Sequence, residues 1–363
     1  MSRALAALGA FVYVAGSCLW AYLYPQSVLG FLGFETSLLV LYLVPAPRVV
    51  KHFLGGAALL VLVPLLGSAN AYYLEIGIQI GIFVALALGL NIVVGFCGLL
   101  NLGFVAFYAI GAYFWAVFGS PQANEFIPGN FFPLSPNWFF PFLLLSIALG
   151  ALTGLLLGLP VLRLRGDYLA IVTLGFAEVV RALVNNLDKP INLTNGPRGI
   201  APIVKPPLFF QPWLEFFGVQ VAEAQLYPFY FYFLVLLFVF AVVLVTRRLE
   251  DSRIGRAWKA IREDEIAASA MGIPVVRMKL FGFAAGVTIL NLQLLKGLSL
   301  WLNGLRQSGA ALTLPLLGSF PLSQLPVQFE PAKYERMVFG LILILMMIFR
   351  PQGVLPPRRE RNP

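Results

Sequence analysis

EIGIQIGIFVALALGLNIVVG, residues 75–95, carries one charged residue, Glu75, in a run of 21. The hydrocarbon core of a bilayer is about 30 Å thick and takes about 20 apolar residues in a helix, so this run reads as a transmembrane span. The same reading extends outward in both directions. Toward the N-terminus, apolar runs cover residues 4–23, 28–44 and 53–68. Toward the C-terminus they cover 101–119, 138–162, 168–187, 228–246, 279–298 and 336–349, while 312–320 is too short to cross. About ten spans in an all-α integral membrane protein are predicted, with little chain left for a soluble domain. The composition agrees, since 60% of the 363 residues are hydrophobic and only 11% are charged. Met1-Ser2-Arg3 before residues 4–23 has the outline of a signal peptide, but the apolar run continues too long, so it is read as a retained first span.

An even number of spans returns both termini to one side, and the basic residues identify that side as cytoplasmic. Seventeen of the 25 Lys and Arg fall there: Arg3, Arg48, Lys51, Arg163, Arg165, eight within 247–279, and Arg350, Arg358, Arg359 and Arg361. The net charge of +9 is thereby assigned to topology. Basic residues dispersed over helix-flanking loops, and not gathered on one module, argue against a nucleic-acid partner and leave membrane lipid as the surroundings. Enzyme chemistry has little to build on. His52 is the one histidine, Cys18 and Cys97 both lie in apolar runs without metal-ligand spacing, and no cofactor or metal is expected.

The longest basic loop is RRLEDSRIGRAWKAIREDEIAASAMGIPVVRMK, residues 247–279. Ile254, Ala257, Ile261, Ile266, Ala270 and Ile273 recur at spacings of three to five, which predicts an amphipathic helix with Arg256, Lys259, Arg262, Glu263 and Asp264 on its polar side. Gly272 and Pro274 then stop it. Two readings fit this pattern equally: a helix lying in a groove of a soluble partner, and an interfacial helix lying on anionic lipid.

The segment Glu265-Ile266-Ala267-Ala268-Ser269-Ala270-Met271-Gly272-Ile273 resembles the Glu-Ala-Ala and Gly coupling segment of bacterial ABC importer permeases. With RLRGDYLAIVTLGFAEVVR at 163–181, NIVVGFCGLLNLGFVAFYAIGAY at 91–113 and FRPQGVL at 349–355, the chain resembles the LivM-type permeases of branched-chain amino-acid uptake. The resemblance runs over about 75–285 and again over 335–355, in the family's order. It implies an ABC importer permease fold in the bacterial inner membrane that supplies half of a translocation pathway. Two ATP-binding subunits, a second homologous permease and a periplasmic substrate-binding protein would complete the importer. ATP hydrolysis would reside on those partners, consistent with a chain that has no Gly-x-x-x-x-Gly-Lys-Ser/Thr loop. Coupling to the ATPase would fall to Arg262, Asp264, Glu265, Ala268 and Gly272. The implied organisation is 1–74 as extra N-terminal spans, 75–298 as the permease core with its loop at 247–279, 299–334 as an atypical outer segment, and 335–363 as a last span with a basic tail.

Candidate pathway residues come from polar groups inside the spans. Asn91 and Asn101 flank the glycines Gly95, Gly98 and Gly103; an interrupted helix there exposes backbone groups to a solute, whereas tight packing and an interhelical amide bond explain the same residues. Thr173 and Arg181 share a helical face, and Glu178 stands three before Arg181, about 17 Å along the helix from Asp167. An ion pair at that depth either lines the route or locks two helices together. Arg163, Arg165 and Asp167 form a tight cytoplasmic turn, read as a helix anchor or an ATPase contact. The outer stretch 188–227, which mixes polar and aromatic residues, is a candidate landing surface for the binding protein. Residues 287–333 depart from the family pattern through a deletion, a frame change or divergence, and Asn291, Gln293 and Lys296 make the span at 279–298 polar for lipid. Alternatives to a branched-chain or other neutral amino-acid permease are a urea or short-amide ABC permease, an ion-coupled carrier and a transport-impaired membrane protein.

Overall fold

The computed structural model describes residues 3–24, 28–44, 47–127, 129–161, 167–188, 191–208, 223–291, 311–314 and 318–321. Its helices are α1 (Arg3–Leu23), α2 (Val28–Leu43), α3 (Arg48–Ala57), α4 (Val63–Ala69), α5 (Tyr72–Leu90) and α6 (Phe104–Phe118). They continue with α7 (Phe139–Val161), α8 (Asp167–Asn186), α9 (Glu223–Asp251), α10 (Arg253–Glu263), α11 (Glu265–Ala270) and α12 (Val275–Asn291). The protein is a multi-pass helical membrane protein.

Ten spans were expected; among the described residues five stretches are long and apolar enough to cross a bilayer. They are Val49–Ala69, Tyr72–Phe96, Pro136–Pro160, Tyr168–Asn186 and Leu226–Asp251. The other apolar helices are described over shorter stretches: Leu8–Leu23 within the 21-residue α1, Phe104–Phe118, the 16 residues of α2, and 17 residues of α12 up to Asn291, the last described residue there. The expected span at 336–349 lies outside the described residues. For α6 the cause is local: the chain does not re-enter a helix until Phe104, because Gly98 takes φ +69° and residues 98–103 have no helical ladder.

Two π-turns shape the spans. The first, Ala58–Leu62, joins α3 to α4 directly ahead of Pro64, which has no N–H to give an α-helical bond. Tyr232 Oη donates to the Leu59 carbonyl at 2.7 Å, so a group loosened by the wide turn is satisfied from α9. The second, Asn91–Phe96, ends the α5 span.

Helix α12 sits at the centre, packed on α7, α5 and α6. Small residues permit the approach, since a Cβ at Gly154 on α7 would meet the Ala284 backbone and one at Gly286 would overlap Val93. Phe107 and Phe283 meet edge to face at 5.9 Å, as do Trp115 and Phe139 at 5.5 Å. Trp115, Phe139, Phe107 and Phe283 are all fully buried.

The described residues up to Asn291 belong to one unit, and those at 311–314 and 318–321 to a second. Within the second, β1 (Ala311–Leu314) and β2 (Gly318–Pro321) pair antiparallel, Ala311 opposite Pro321 and Leu314 opposite Gly318. This hairpin occupies the stretch at 312–320 that was expected not to cross, beside an otherwise helical architecture. A segment too short to span satisfies its backbone groups by pairing with itself.

Candidate functional site

The loop at 247–279 was expected to carry one amphipathic helix; it carries two, α10 and α11, broken at Asp264. The reason is local competition for the backbone. Asp264 is extended, with φ −152° and ψ 110°, and its Oδ1 accepts the N–H of Ile266 at 2.8 Å and of Ala267 at 3.0 Å. That is an N-cap, so the carboxylate expected to dock a partner is turned onto the start of α11. At the other end, Ile273 N donates to the Ala268 carbonyl and Gly272 N to Ser269, with Gly272 at φ +83°. These two bonds form a Schellman stop, and a left-handed residue at that position favours glycine.

Beneath the pair lies α12. Trp258 is fully buried on α10 and its indole N–H donates to the Met278 carbonyl at 2.8 Å. Glu265 and Lys279 form an ion pair at 2.7 Å, with the lysine side chain only 14% exposed. Ala268 is buried under α11, whereas Ile266 and Met271 are 79% and 83% exposed. The segment thus has a seated side and an outer apolar side separated by less than one helical turn.

Arg262, expected among the coupling residues, reaches into the bundle. Its Nη1 donates to the Gly95 carbonyl in the second π-turn, and its side chain lies across Gly98, where a Cβ would meet the arginine Cγ. The adjoining loop reaches α8. Asn101 is 2% exposed, its Oδ1 accepts from Gly103 N at 2.9 Å, and its Nδ2 is buried without a partner. Leu102 N donates to Thr173 Oγ1 at 3.1 Å, and a Cβ at Gly103 would overlap the Thr173 carbonyl. Thr173 Oγ1 in turn donates to Ala170 O at 2.9 Å.

The structure therefore brings Arg262, Asn101 and Thr173 into one network, with Asn91 at the head of the same π-turn and exposed. Glu178 and Arg181 do not join it. They pair with each other at 2.8 Å further along α8, their side chains 59% and 69% exposed. Asp167 opens α8, and Arg163 and Arg165 lie outside the described residues. Trp258 and Lys279 were not singled out by the sequence reading; a tryptophan amid charges was the available signal for the first. Among the described residues no three His, Cys, Asp or Glu cluster in a way that could hold a metal.

On the opposite side of the bundle two loops are stitched together. Gln122 Nε2 donates to the Asn192 carbonyl at 2.6 Å, Val204 N to Gly119 O at 2.7 Å, and Trp115 Nε1 to Val204 O at 3.2 Å.

The family model for the permease component of branched-chain amino acid transport systems matches residues 72–289, beginning at the first residue of α5. The high-affinity branched-chain amino acid transport system permease protein LivM of Salmonella typhimurium is 35% identical over 317 residues, covering 77% of this chain and 69% of that protein. Its namesake in Escherichia coli is 34% identical over 320 residues with the same coverage. A probable LivM permease of Methanocaldococcus jannaschii is 24% identical over 334 residues, covering 77% and 91%. No solved structure matches. With the family model matched over more than half of its length, the chain belongs to the permease components of branched-chain amino acid transport systems.

Proposed function

We propose that the chain is the transmembrane permease subunit of an ABC importer for branched-chain amino acids, supplying half of the translocation pathway. The observation that carries this reading is α11, a short helix fixed at both ends by Asp264 and Gly272, seated on α12 and presenting Ile266 and Met271 outward. An exposed apolar face on a fixed helix suits a groove on a cytoplasmic ATP-binding subunit. ATP hydrolysis belongs to two such partners. The basic residues of 247–279 then lie in the cytoplasm together with both termini, and ten spans cross the bacterial inner membrane. The permease core is 75–298, preceded by extra spans at 1–74 and followed by 299–334 and 335–363.

Residues on α8 and its neighbours line the route. The exposed side of α8 carries Glu178 and Arg181 beside Gly175, whose missing side chain faces open space. The exposed side of α7 bears Leu144, Leu145, Ile147 and Leu152, all aliphatic. Lipid suits α7, whereas a charged pair at span depth needs protein or water, so the second permease and the pathway belong against α8. Asn91, Asn101 and Thr173 lie toward the cytoplasmic end of that route, and Arg163, Arg165 and Asp167 anchor the turn ahead of α8. The stitched loops around Gln122, Asn192 and Val204 form a preorganised outer surface for a periplasmic binding protein.

The test is uptake into proteoliposomes holding this chain, the second permease, the ATP-binding subunits and the binding protein. Leucine, isoleucine and valine are expected to accumulate with ATP inside. Uptake of urea in their place would overturn the substrate assignment, and uptake without ATP would point to an ion-coupled carrier.

A further inference from the structure

The C-terminal carbonyls of a helix have no partner within it, and the end of the α5 span is a π-turn followed by the left-handed Gly98. Leu99 N folds back to Val93 O at 3.1 Å and leaves Gly95 O to another donor. That donor is Arg262, 167 residues further along the chain. A guanidinium is well suited to the place, because it brings full positive charge to the negative end of the helix dipole. Arg262 thus caps α5 from α10, one turn beyond Trp258 on the same helix.

Trp258–Met278 and Glu265–Lys279 both tie the α10–α11 pair to α12. Arg262 instead crosses to the junction between α5 and α6. From there the contacts continue through Asn101 to Gly103 and from Leu102 to Thr173 on α8. Residues 98–103 lack a helical ladder but are held by the bonds at Leu99, Leu102 and Gly103, so a displacement of the Gly95 carbonyl is carried along this stretch toward α8.

We propose that Arg262 is the positioning residue that links movement of the α10–α11 pair to residues 97–103 and to α8, by capping the C-terminal end of α5. The inference rests on the reading of α11 as the ATPase-docking helix, and it gives Arg262 a different task from α11: it transmits and does not dock. Arg256 is the internal comparison, an arginine on the same helix whose Nη1 donates to the Asp251 carbonyl at 2.8 Å on the solvent side.

The test has two arms. In the first, amide hydrogen exchange is measured on the full-length chain in detergent. Arg262→Gln is expected to speed exchange at Leu99, Leu102 and Gly103 about tenfold, the change that accompanies loss of a charge-assisted hydrogen bond. Arg256→Gln is expected to leave those amides at the wild-type rate. Unchanged exchange in Arg262→Gln overturns the cap.

In the second arm the reconstituted importer is assayed for leucine imported per ATP hydrolysed. Arg262→Gln is expected to lower that ratio about tenfold while the ATP-binding subunits still co-purify, with Arg262→Lys between it and wild type, since a lysine keeps charge but not the fork of donors. Loss of co-purification would make Arg262 a docking residue, and an unchanged ratio despite faster exchange would make the cap purely structural; either overturns the transmission role. A wild-type assembly that imports no branched-chain amino acid sinks the substrate reading, and the exchange arm still decides the cap.

Discussion

At the residue scale, Gly272 and Asn101 make separable demands on their side chains. Nothing lies within 4 Å of a Cβ at Gly272, so a substitution there meets no clash and its whole cost is the backbone at φ +83°. Gly272→Ala is expected to destabilise α11 by about 1 kcal/mol, and Gly272→Asn by less, because asparagine tolerates the left-handed region. Thermal unfolding in detergent and co-purification of the ATP-binding subunits should rank the three variants Gly, Asn, Ala. Asn101 is constrained by bonding instead. Its Oδ1 serves Gly103 N ahead of α6 while its Nδ2 is buried without a partner, so the amide is more than the turn requires. Asn101→Ser supplies an acceptor without burying a second orphan donor, whereas Asn101→Ala leaves Gly103 N unpaired at about 1–2 kcal/mol. Serine is therefore expected to melt above alanine, and the reverse order would show that the turn does not depend on this oxygen.

At the element scale, Asp264 decides whether residues 253–270 are one helix or two. Asp264→Ala removes acceptors for two N–H groups and is expected to cost about 1 kcal/mol, letting α10 run toward α11 and tilting Ile266 and Met271 off their present face. Retention of the ATP-binding subunits should fall in a pull-down from solubilised membranes, and full retention would show that the break is not needed for docking. The exposed side of α8 gives a second prediction. Its Glu178–Arg181 pair is open in the isolated chain and contributes no more than about 1 kcal/mol to the fold. Gly175→Cys should cross-link to the second permease in the assembled importer, whereas Leu145→Cys on the aliphatic side of α7 should not. How far these features were legible differs by their physics. Span-length helices declare themselves through hydropathy, and α5, α7, α8 and α9 each overlap an expected run. The stop at Gly272 was legible because a glycine before a proline has a local conformational cause. The break at Asp264 was equally local, an aspartate ahead of the Glu265-Ile266-Ala267-Ala268 run, but the apolar stripe masked it by continuing at helical spacing across the break. The π-turns carry no hydropathy signal at all, since an i to i+5 bond leaves the side-chain pattern nearly unchanged. Arg262 and Thr173 could be picked out as polar residues, yet their joining through Gly95 and Leu102 depends on contacts between segments distant in the chain, which no spacing rule reports.

At the scale of the whole molecule, the family match begins at Tyr72, and α1–α4 stand before it. The seam between those helices and the rest is loosely filled: a cavity of about 210 Å³ lies among Phe34, Leu59, Leu66, Tyr73, Gly77 and Tyr232, with an almost wholly apolar lining. A hydrogen bond from Tyr232 Oη to the Leu59 carbonyl crosses it. The core that holds α11, α12 and residues 97–103 makes its contacts elsewhere, through α12 on α7, α5 and α6. Removal of residues 1–70 is therefore expected to lower thermal stability without dismantling that network. Orientation should survive as well. The shortened chain would start at Ala71 with Glu75, in the first turn of α5, as its one charged side chain up to Phe96, while the eight Lys and Arg within 247–279, on which the proposed cytoplasmic placement of that loop rests, are retained. The check is threefold: labelling of an introduced cysteine at Ser269 from the cytoplasmic side, the melting midpoint in detergent, and leucine uptake after reconstitution. Preserved sidedness and uptake with a lower midpoint is the expected result. Loss of uptake from a correctly oriented and folded chain would mean that α1–α4 belong to the transport machinery, and that the underfilled seam at Gly77 and Tyr232 is a working surface between moving parts.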